Sequence, residues 1–591
     1  MRKTAAILLL ISALAAGCIY DTRMPAECLE SVDNCYIAFV FSPAGSSGTS
    51  TKGSFDNITR FSHGDLEQSL VSSVSLYFFD ASGRYLGWRS VTGFNQRLSS
   101  DEHDPIENRA GAVVVELNFR PHRMLVLANI EDNAAVDMAG KSLSELRGKI
   151  RSGSWKLADQ VSISYKDKNG DPQAASVYPF LMASSTYMSR SGMEMCETEI
   201  PSLYIFDDEE NARKYPLNVY IERLAAKVKV TGASDEPYPV PAVTPCDSLV
   251  AKVDLLGWGL NAVNRGSYYV KKIDPSWGSD DYFSSWVWNS PDVYRSNWAK
   301  DQNYGLNEGG TYPISILNAA STDALDYTSW EAIGDANFGD SLFCFENTAD
   351  AKILQLDPDK NELYPRVTHV LIKARLTFTP VGGYPDPYKY SATNANIFRY
   401  KGVFYTADNI FDAVIADTGQ TYYKDAAHTL PADANDFGIV HAGGEKLFFS
   451  PSGTLYAAGS TEPMESDDLK NFQFDGFYKG YFYYKIPIEN LNNQAIKSTD
   501  TYYPTGKYGV VRNNSYTITL TTLDGVGTGV WNEKQKIIPR QRQGDYILSA
   551  YLKVAPWKEF ETSFLFVDPS GMIYTDGQGV NFWKDTNGWY L

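Results

Sequence analysis

Apolar and polar residues alternate along many short segments of this chain, and this alternation constrains its fold more than any other feature. Near the C-terminus, four apolar residues are separated by single residues that include a serine and a lysine: Leu548, Ala550, Leu552 and Val554. A strand with one buried face requires this period of two. Aromatic residues make up 14% of the chain, with 39 tyrosines, and turn-forming residues separate the segments, which favours packed β-sheets.

The pattern predicts an all-β protein. We expect strands over the segments Cys35–Phe41, Val71–Phe79, Ala112–Phe119, Arg123–Ala128, Val219–Val230, Val367–Phe378, Gly480–Ile488, Ser515–Thr521 and Asp545–Val554.

Two segments have helical spacing instead. Leu143, Leu146 and Ile150 follow the cap residue Ser142, and the apolar residues of 410–415 follow Asp408. We predict short crossover helices there.

The length of 591 residues exceeds what one hydrophobic core usually serves, so we expect two large domains. Prolines crowd the stretch Thr231–Pro245, which predicts a boundary between a domain at 61–232 and a second at 233–591. Residues 274–310 are rich in Ser, Gly and Tyr without a sustained period, and we predict long loops there.

The N-terminus has the order of a secretory signal peptide over residues 1–17: two basic residues, an apolar run, and small residues before Cys18. The apolar run is too short to span a bilayer. The ending Ala16-Gly17-Cys18 resembles a bacterial lipobox, so we predict acylation of Cys18 and attachment to a membrane through lipid. The alternative is an ordinary cleaved signal in which Cys18 is incidental.

Charge and motifs argue against several function classes. The net charge of −18 disfavours nucleic acid as a partner. The six histidines have no metal-ligand spacing, and neither a nucleophile elbow nor a phosphate-binding loop is present. We therefore expect no catalytic residues, no metal and no cofactor, and predict that the chain is not an enzyme. Trp286, Trp288 and Trp298 would either stack on sugar rings or pack a loop. Cys28 and Cys35 would either form a disulfide or remain free thiols.

Five stretches resemble the fimbrillin family of Bacteroidales, the shaft subunits of type V pili, and in particular its minor-fimbria branch. They are Arg123-Met124-Leu125-Val126-Leu127-Ala128-Asn129, Phe180-Leu181-Met182-Ala183-Ser184-Ser185, Ile221-Glu222-Arg223-Leu224-Ala225-Ala226-Lys227-Val228, Tyr508-Gly509-Val510-Val511-Arg512-Asn513-Asn514-Ser515-Tyr516 and Val554-Ala555-Pro556-Trp557.

The resemblance implies two transthyretin-like β-sandwiches in tandem and an adhesive fimbria at the cell surface. It also implies that an Arg-specific protease removes the first strand of a lipid-anchored outer-membrane precursor, and that a neighbour's C-terminal strand fills the vacated groove. The implied partners are further copies of the chain or related subunits, with anchor and tip proteins.

The residues permit this mechanism. The removable strand is a segment that is apolar on both faces: Tyr36, Ile37, Ala38, Phe39, Val40 and Phe41. A Ser- and Gly-rich tether at Pro43–Gly53 follows, and Arg60 ends the propeptide 18–60. We predict cleavage between Arg60 and Phe61, with Lys52 and Arg84 as competing sites.

The donor strand has two possible locations. It lies within Asp545–Val567, with Leu548, Ala550, Leu552 and Val554 as candidates, or in the tail that follows Trp557. The length of that tail keeps a fimbrial anchor or tip protein open as an alternative to a shaft subunit. A surface glycan-binding lipoprotein is a further alternative, from a different class.

Overall fold

A computed structural model gives the fold over most of the chain. It describes residues 34–43, 70–94, 112–167, 170–188, 193–279, 294–302, 325–333, 336–348, 367–383, 385–443, 446–490 and 505–538, together with residues 68 and 304 and the short segments 96–97, 284–286, 362–363, 541–542, 548–556, 574–575, 581–585 and 588–590.

The elements are mostly strands. In chain order they begin with β1 (Cys35–Pro43), β2 (Ser73–Phe79), β3 (Tyr85–Thr92), β4 (Gln96–Arg97), β5 (Val113–Leu117), β6 (Arg123–Ala128), α1 (Asp132–Met138), α2 (Leu143–Arg147), β7 (Ile150–Ser152), β8 (Val161–Lys166), β9 (Pro172–Val177), β10 (Met182–Ser184), β11 (Tyr187–Met188), β12 (Glu194–Met195), β13 (Thr198–Glu199), α3 (Glu209–Lys214) and β14 (Leu217–Arg223). They continue with β15 (Ala225–Thr231), β16 (Tyr238–Pro239), β17 (Leu249–Asn261), β18 (Val263–Asn264), β19 (Gly266–Tyr268), β20 (Ser284–Trp286), β21 (Tyr294–Ser296), β22 (Leu325–Asp326), β23 (Ser341–Phe345), β24 (Glu362–Leu363), β25 (His369–Pro380), β26 (Ile397–Tyr400), β27 (Val403–Thr406), α4 (Ile410–Thr418) and β28 (Tyr422–Tyr423). The last are β29 (Phe437–Gly443), β30 (Lys446–Pro451), β31 (Tyr456–Ala457), β32 (Phe474–Phe477), β33 (Tyr481–Pro487), β34 (Asn514–Leu523), β35 (Thr528–Gly529), β36 (Gln541–Arg542), β37 (Leu548–Pro556), β38 (Tyr574–Thr575), β39 (Asn581–Asp585) and β40 (Gly588–Tyr590). Short 3-10 helices lie at Ser202–Tyr204, Pro275–Ser279, Ala434–Asp436 and Tyr478–Gly480. The predicted all-β class is confirmed.

The first large sheet is buried on both faces. Its strand order is β3-β2-β6-β10-β14-β1-β5, with β13 added against β6. Along β2, Leu76 and Phe78 enter one apolar core, whereas Tyr77 and Phe79 enter another on the opposite face. Helices α1 and α2 contribute to this second core, so they cover that face of the sheet.

Two further sheets pack face to face as a β-sandwich. One has the order β23-β15-β34-β37 and the other β16-β17-β25-β33-β35. Alternating residues of β15 and β34, such as Val228 and Ile518, share a core with Val253 and Ile372 of the facing sheet. Strand alternation in the sequence thus supplies the two inner faces.

Residues 397–477, which lie between β25 and β33 along the chain, form a sheet of their own. This sheet has the order β27-β26-β32-β30-β29 and its own apolar core, to which Ile410 and Val414 of α4 contribute. Gly419 ends α4 with φ 65°, a backbone conformation that glycine adopts without steric cost.

The single strand predicted over Val219–Val230 is wrong, because the chain changes sheets at Leu224. β14 belongs to the first sheet and β15 to the sandwich. Leu224 itself is buried, and its N–H donates to the Leu181 carbonyl at 3.0 Å. The change of sheet lies ahead of the Pro-rich stretch Thr231–Pro245, and no glycine or proline marks it in the sequence.

Two local predictions need correction. Ser142 caps α2 as expected, in a capping box with Glu145, but the helix ends at Arg147 and Ile150 lies in β7. The stretch 274–310 contains a 3-10 helix at Pro275–Ser279 and the strands β20 and β21, so it is not loop throughout. Gly148 ends α2 before Ile150 is reached.

Candidate functional site: the position of the first strand

β1 lies inside the first sheet and is paired along both edges. It runs antiparallel to β5, where Phe39 pairs with Val113, and parallel to β14, where Phe39 pairs with Leu217. Before β14 begins, Tyr36 and Phe206 exchange backbone hydrogen bonds of 2.7 and 2.9 Å. The strand predicted to be removable therefore fills an internal position of the sheet.

One face of β1 points into the first core. Cys35, Ile37 and Phe39 are fully buried there, and the Phe39 ring lies 6.3 Å from that of Phe78. Cys35 is a free thiol that donates to the Phe119 carbonyl at 3.3 Å. Burial raises the pKa of this thiol, and Cys28, its suggested disulfide partner, lies outside the described residues.

The opposite face of β1 is covered by α3. Ala38 is 1% exposed on this face, and α3 packs against both β1 and β5, with Ala212 buried. Tyr36 is half-buried nearer the rim, where its hydroxyl lies 3.4 Å from Oε1 of Glu116. We use the term strand slot for the space that β1 occupies between β5, β14, the core and α3.

Sequence reasoning missed the role of α3, although the signals for this helix were present. Asp208 caps it by accepting from the N–H of Asn211 at 2.8 Å. Acidic residues occupy its first turn and basic residues its last turn, which favours a helix through the helix dipole. These features predict a helix but not what the helix covers.

The chain that follows the predicted cleavage site is held to the body by polar contacts. The Gln68 carbonyl accepts from Nε of Arg223 at 2.5 Å, and the Leu70 carbonyl accepts from Nδ2 of Asn129 at 3.0 Å. Asn129 also accepts from the N–H of Ser72 at 2.7 Å. Burial lowers the pKa of Arg223 to about 9. The motif residues Arg223 and Asn129 thus anchor Gln68, Leu70 and Ser72.

Several predicted site residues lie outside the described part of the chain. They are Cys18, Lys52, Arg60 and Phe61. Arg84, a competing cleavage site, is described: it lies in the turn between β2 and β3, with Nε 3.0 Å from Oδ2 of Asp80. Cleavage there would separate two paired strands of one sheet.

The candidate donor residues lie on β37, which is an edge strand of the sandwich. β37 holds Leu548, Ala550, Leu552 and Val554 and pairs antiparallel with β34, from Leu523↔Leu548 to Asn514↔Pro556. A second short antiparallel sheet of β38, β39 and β40 follows in the tail. The structure therefore places the candidate donor strand and the strand slot in different sheets.

The fimbrillin-like stretch at residues 508–516 lies where the first sheet meets the sandwich. Arg512 and Glu346 are both fully buried, and the guanidinium binds the carboxylate through contacts of 2.6 and 3.0 Å. Arg512 also donates to Oγ of Ser267 at 2.7 Å. We call Arg512, Glu346, Ser267 and the Arg223–Asn513 contact of 3.1 Å the junction cluster.

Gly509 in the same motif is required by a close approach. A Cβ at this position would lie 2.7 Å from the Trp298 ring and 3.0 Å from the Asn347 carbonyl. Trp298 is fully buried, which agrees with the packing alternative for this tryptophan. The side chain of Trp286 and all of Trp288 lie outside the described residues.

Within the described ranges, His, Cys, Asp and Glu side chains form no group of three or more that could hold a metal ion. Among those residues no helix is long and apolar enough to cross a membrane.

Comparison with known proteins identifies the C-terminal region. Residues 475–563 match the family model for the fimbrillin C-terminal region, "Major fimbrial subunit protein type IV, Fimbrillin, C-terminal". This stretch contains the strands β33, β34 and β37 and also the motif at residues 508–516. No curated protein matches the chain.

Three solved structures align with the chain at low identity. A fimbrilin (fimA) of Porphyromonas gingivalis W83 is 13% identical, with 89% of this chain and 98% of that chain covered and a TM-score of 0.36. The tip fimbrial protein Mfa3 of Porphyromonas gingivalis, with a C-terminal truncation, is 10% identical over 89% and 100%, with a TM-score of 0.29. The fimbrial anchor protein Mfa2 of that organism is 9% identical over 45% and 76%, with a TM-score of 0.16. Overlaps with TM-scores this low carry no argument about function. The match over 475–563 confirms the resemblance indicated by the sequence motifs: the C-terminal part of this chain is similar to the fimbrillin C-terminal region.

Proposed function

We propose that this chain is a non-enzymatic structural subunit of an adhesive cell-surface fimbria. It is exported as a precursor, acylated at Cys18 and anchored at the outer membrane. An Arg-specific protease cuts between Arg60 and Phe61, and the released body polymerises by exchanging strands with its neighbours. The fimbrillin domain at residues 475–563 supports the fimbrial role.

The position of β1 carries the proposal. It belongs to the segment upstream of Arg60, yet it supplies both ladder edges and core side chains to the body. Loss of Ile37 and Phe39 alone would expose apolar surface worth about 1.5–3 kcal/mol each. A vacated slot would also leave β5 and β14 with unpaired backbone groups, which favours addition of another strand.

The contacts of Gln68, Leu70 and Ser72 support Arg60 as the cut. Residues from Gln68 onward stay attached to the body through Arg223 and Asn129. A cut after Arg60 would therefore free β1 and leave β2 in place. A cut at Arg84 would instead detach β2 from its link to β3.

Assembly would be head to tail. A strand from the C-terminal region of one copy, within Asp545–Val567 or in the tail, enters the strand slot of the next. Contacts of this type do not close on themselves, so they build a filament. Its partners are further copies or related subunits, with anchor and tip proteins at its ends.

Substitution of Arg60 by Ala tests the proposal in the full-length chain. We expect a folded, membrane-bound monomer, because β1 stays covalently attached and keeps the slot filled. Lys52→Ala is the matched control and is expected to give processed fibres like the wild type. Normal fibres from Arg60→Ala would exclude Arg60 as the processing site.

An anchor or tip protein of the same fimbria is the second candidate, and the tail strands β38–β40 favour it. An anchor would retain acylated Cys18 and escape cleavage. A tip would be cleaved but would not donate a strand to a following copy. Both alternatives are distinguished from a shaft subunit by the N-terminus and by the position of the protein along the fibre.

A further inference from the structure

The outer edge of β29 is open within the part of the chain that the structure describes. β29 ends the five-stranded sheet of residues 397–477 and pairs there with β30 alone. The opposite edge strand, β27, is closed, because the N–H of Phe404 donates to the Val243 carbonyl at 2.7 Å. One edge of this sheet is therefore covered by the chain itself, and the other is available to a further strand.

β29 lacks the residues that usually protect an edge strand from pairing. The other described edge strands of seven or more residues carry charge or proline: β3 holds Arg89, and β37 holds Lys553 and Pro556. The sequence of β29, Phe-Gly-Ile-Val-His-Ala-Gly, contains no Lys, Arg, Asp, Glu or Pro. Such charges and prolines keep edges from adding strands, so a neighbour's strand meets the fewest obstacles at β29.

The hydrogen-bond pattern fixes which backbone groups of β29 point outward. The N–H of Ser452 donates to the Asp436 carbonyl at 2.8 Å, and the register Phe437↔Pro451 places these two residues opposite each other. Bonded and non-bonded pairs alternate along an antiparallel ladder. Phe437 and the other odd-numbered residues of β29 therefore direct their N–H and C=O groups away from β30, which agrees with the missing N–H of Pro451.

Two of these residues, Ile439 and His441, have no backbone partner within the described ranges. The N–H of Phe437, by contrast, donates to a carbonyl of the preceding 3-10 helix. Between the two open residues lies Val440, whose apolar side chain is 36% exposed. A bulge directly after His441 ends the regular ladder with β30. The open edge thus offers two donors and two acceptors around one exposed valine.

We propose that β29 of one chain pairs antiparallel with β29 of a second copy about a twofold axis at Val440. Ile439 of each copy then exchanges both backbone hydrogen bonds with His441 of the other. Val440 faces its own counterpart in a non-hydrogen-bonded pair, where side chains lie closest, so the exposed apolar group becomes buried. The pairing joins two five-stranded sheets into one.

The other antiparallel registers satisfy fewer of these groups. An axis at Ile439 would bring His441 opposite Phe437, whose N–H is already engaged, and would leave the His441 carbonyl without a donor. An axis at His441 would bring Ile439 opposite Gly443, which lies beyond the bulge. The axis at Val440 is therefore the one that uses every outward group of the two open residues.

A second copy is the occupant that these features favour. A matching strand must itself be open at one edge, uncharged and apolar at its centre, and β29 meets all three conditions. The same patch serves both copies, so the contact closes at two chains. It therefore differs from the head-to-tail assembly proposed above, and in a fimbria it would join neighbouring filaments side by side.

Cysteine cross-linking of the unprocessed full-length chain tests the register. The chain carries Cys18→Ser, so that lipid does not associate the copies. Val440→Cys should give a disulfide-linked dimer on mild oxidation, because facing β-carbons of such a pair lie near the separation that a disulfide needs. His441→Cys is the matched control: it is exposed on the same strand but lies opposite Ile439, so its yield of dimer should be at least roughly tenfold lower. The parent chain measures cross-linking through the native thiols.

Sedimentation velocity tests the contact without a cross-link. Val440→Lys should convert the dimer to monomer, because two like charges would face each other across the axis. Leu430→Lys adds the same charge at another exposed apolar residue of this sheet's segment and should sediment like the parent chain. Circular dichroism verifies that each variant is folded.

A parent chain that sediments as a monomer at the highest soluble concentration would overturn the inference. Equal cross-linking of His441→Cys and Val440→Cys would overturn it as well, because the pairing would then lack the proposed register. Both results are independent of cleavage at Arg60 and of strand exchange, so they leave the proposed function in place.

Discussion

The core face of the strand slot and the Arg512–Glu346 pair of the junction cluster are both fully buried, yet they are built from different chemistry. The core face of the slot holds apolar side chains and a thiol on a strand bound through backbone ladders. The junction cluster holds Arg512 and Glu346, a guanidinium and a carboxylate that bind side chains and carbonyls from distant segments. Backbone ladders accept many sequences, whereas a bidentate ion pair accepts one partner geometry.

This difference separates an exchangeable contact from a permanent one. Under the proposed assembly, the strand in the slot is replaced by another of suitable side-chain volume. Removal of one member of the junction cluster would leave a buried charge without its counter-ion. Under the proposed assembly, exchange takes place at the strand slot, whereas the junction cluster holds the first sheet to the sandwich.

The largest effect is expected from Arg512→Met. Breaking a buried ion pair on one side costs about 3–5 kcal/mol of unfolding free energy, because the Glu346 carboxylate stays buried. Chemical denaturation of the full-length precursor measures this loss. The control is Lys470→Met, which breaks the exposed Lys470–Asp467 pair of 2.8 Å and should change stability far less, because water screens exposed ion pairs. Equal losses of unfolding free energy in the two variants would show that the buried pair stabilises the fold no more than an exposed pair does.

A smaller overall effect is expected from Phe39→Ala, since it is confined to the precursor. The cavity left in the first core should cost the precursor about 3 kcal/mol or more. The same substitution should leave mature fibres unchanged in thermal stability, because β1 is absent from them. A matching loss in fibres would mean that the first strand is retained.

Acid should affect the sandwich more than the slot, through His369. Its ring is fully buried in β25, Nδ1 lies 2.6 Å from the Val367 carbonyl, and Nε2 has no hydrogen-bond partner within the described residues. Burial lowers the pKa of His369 to about 3. Below pH 6.5 the unfolded chain binds a proton that the folded chain excludes, so stability falls as the pH falls.

The expected size of this effect is about 1.4 kcal/mol per pH unit, or roughly 2 kcal/mol between pH 7 and pH 5. His369→Gln should flatten the slope in denaturation curves recorded over that range. An unchanged slope in the variant would show that His369 already binds its proton in the folded protein.

The sequence predicted the strands of the first sheet better than the point where the chain leaves this sheet for the sandwich. β1 and β6 were predicted from alternation and apolar runs, and β6 matches its predicted bounds, Arg123–Ala128. The break at Leu224 was missed because β14 and β15 are both apolar strands and the residue between them is also apolar. A change of sheet leaves no signal in local periodicity when neither glycine nor proline is needed.

The site was only partly predictable for a related reason. The motif residues Asn129, Arg223 and Arg512 are recognisable in the sequence, but their roles depend on partners such as Gln68 and Glu346 that are far away along the chain. The cover that α3 provides over Ala38 is likewise a tertiary contact. Local sequence predicts the elements, whereas the size limits of the slot arise only from their packing.

The N-terminal sequence of mature protein sheared from the cell surface tests the central claim most directly. The account predicts a start at Phe61, with β1 absent from the fibre and the strand slot filled by a neighbour. An intact chain that begins at acylated Cys18 would contradict it, because β1 would then still fill its own slot.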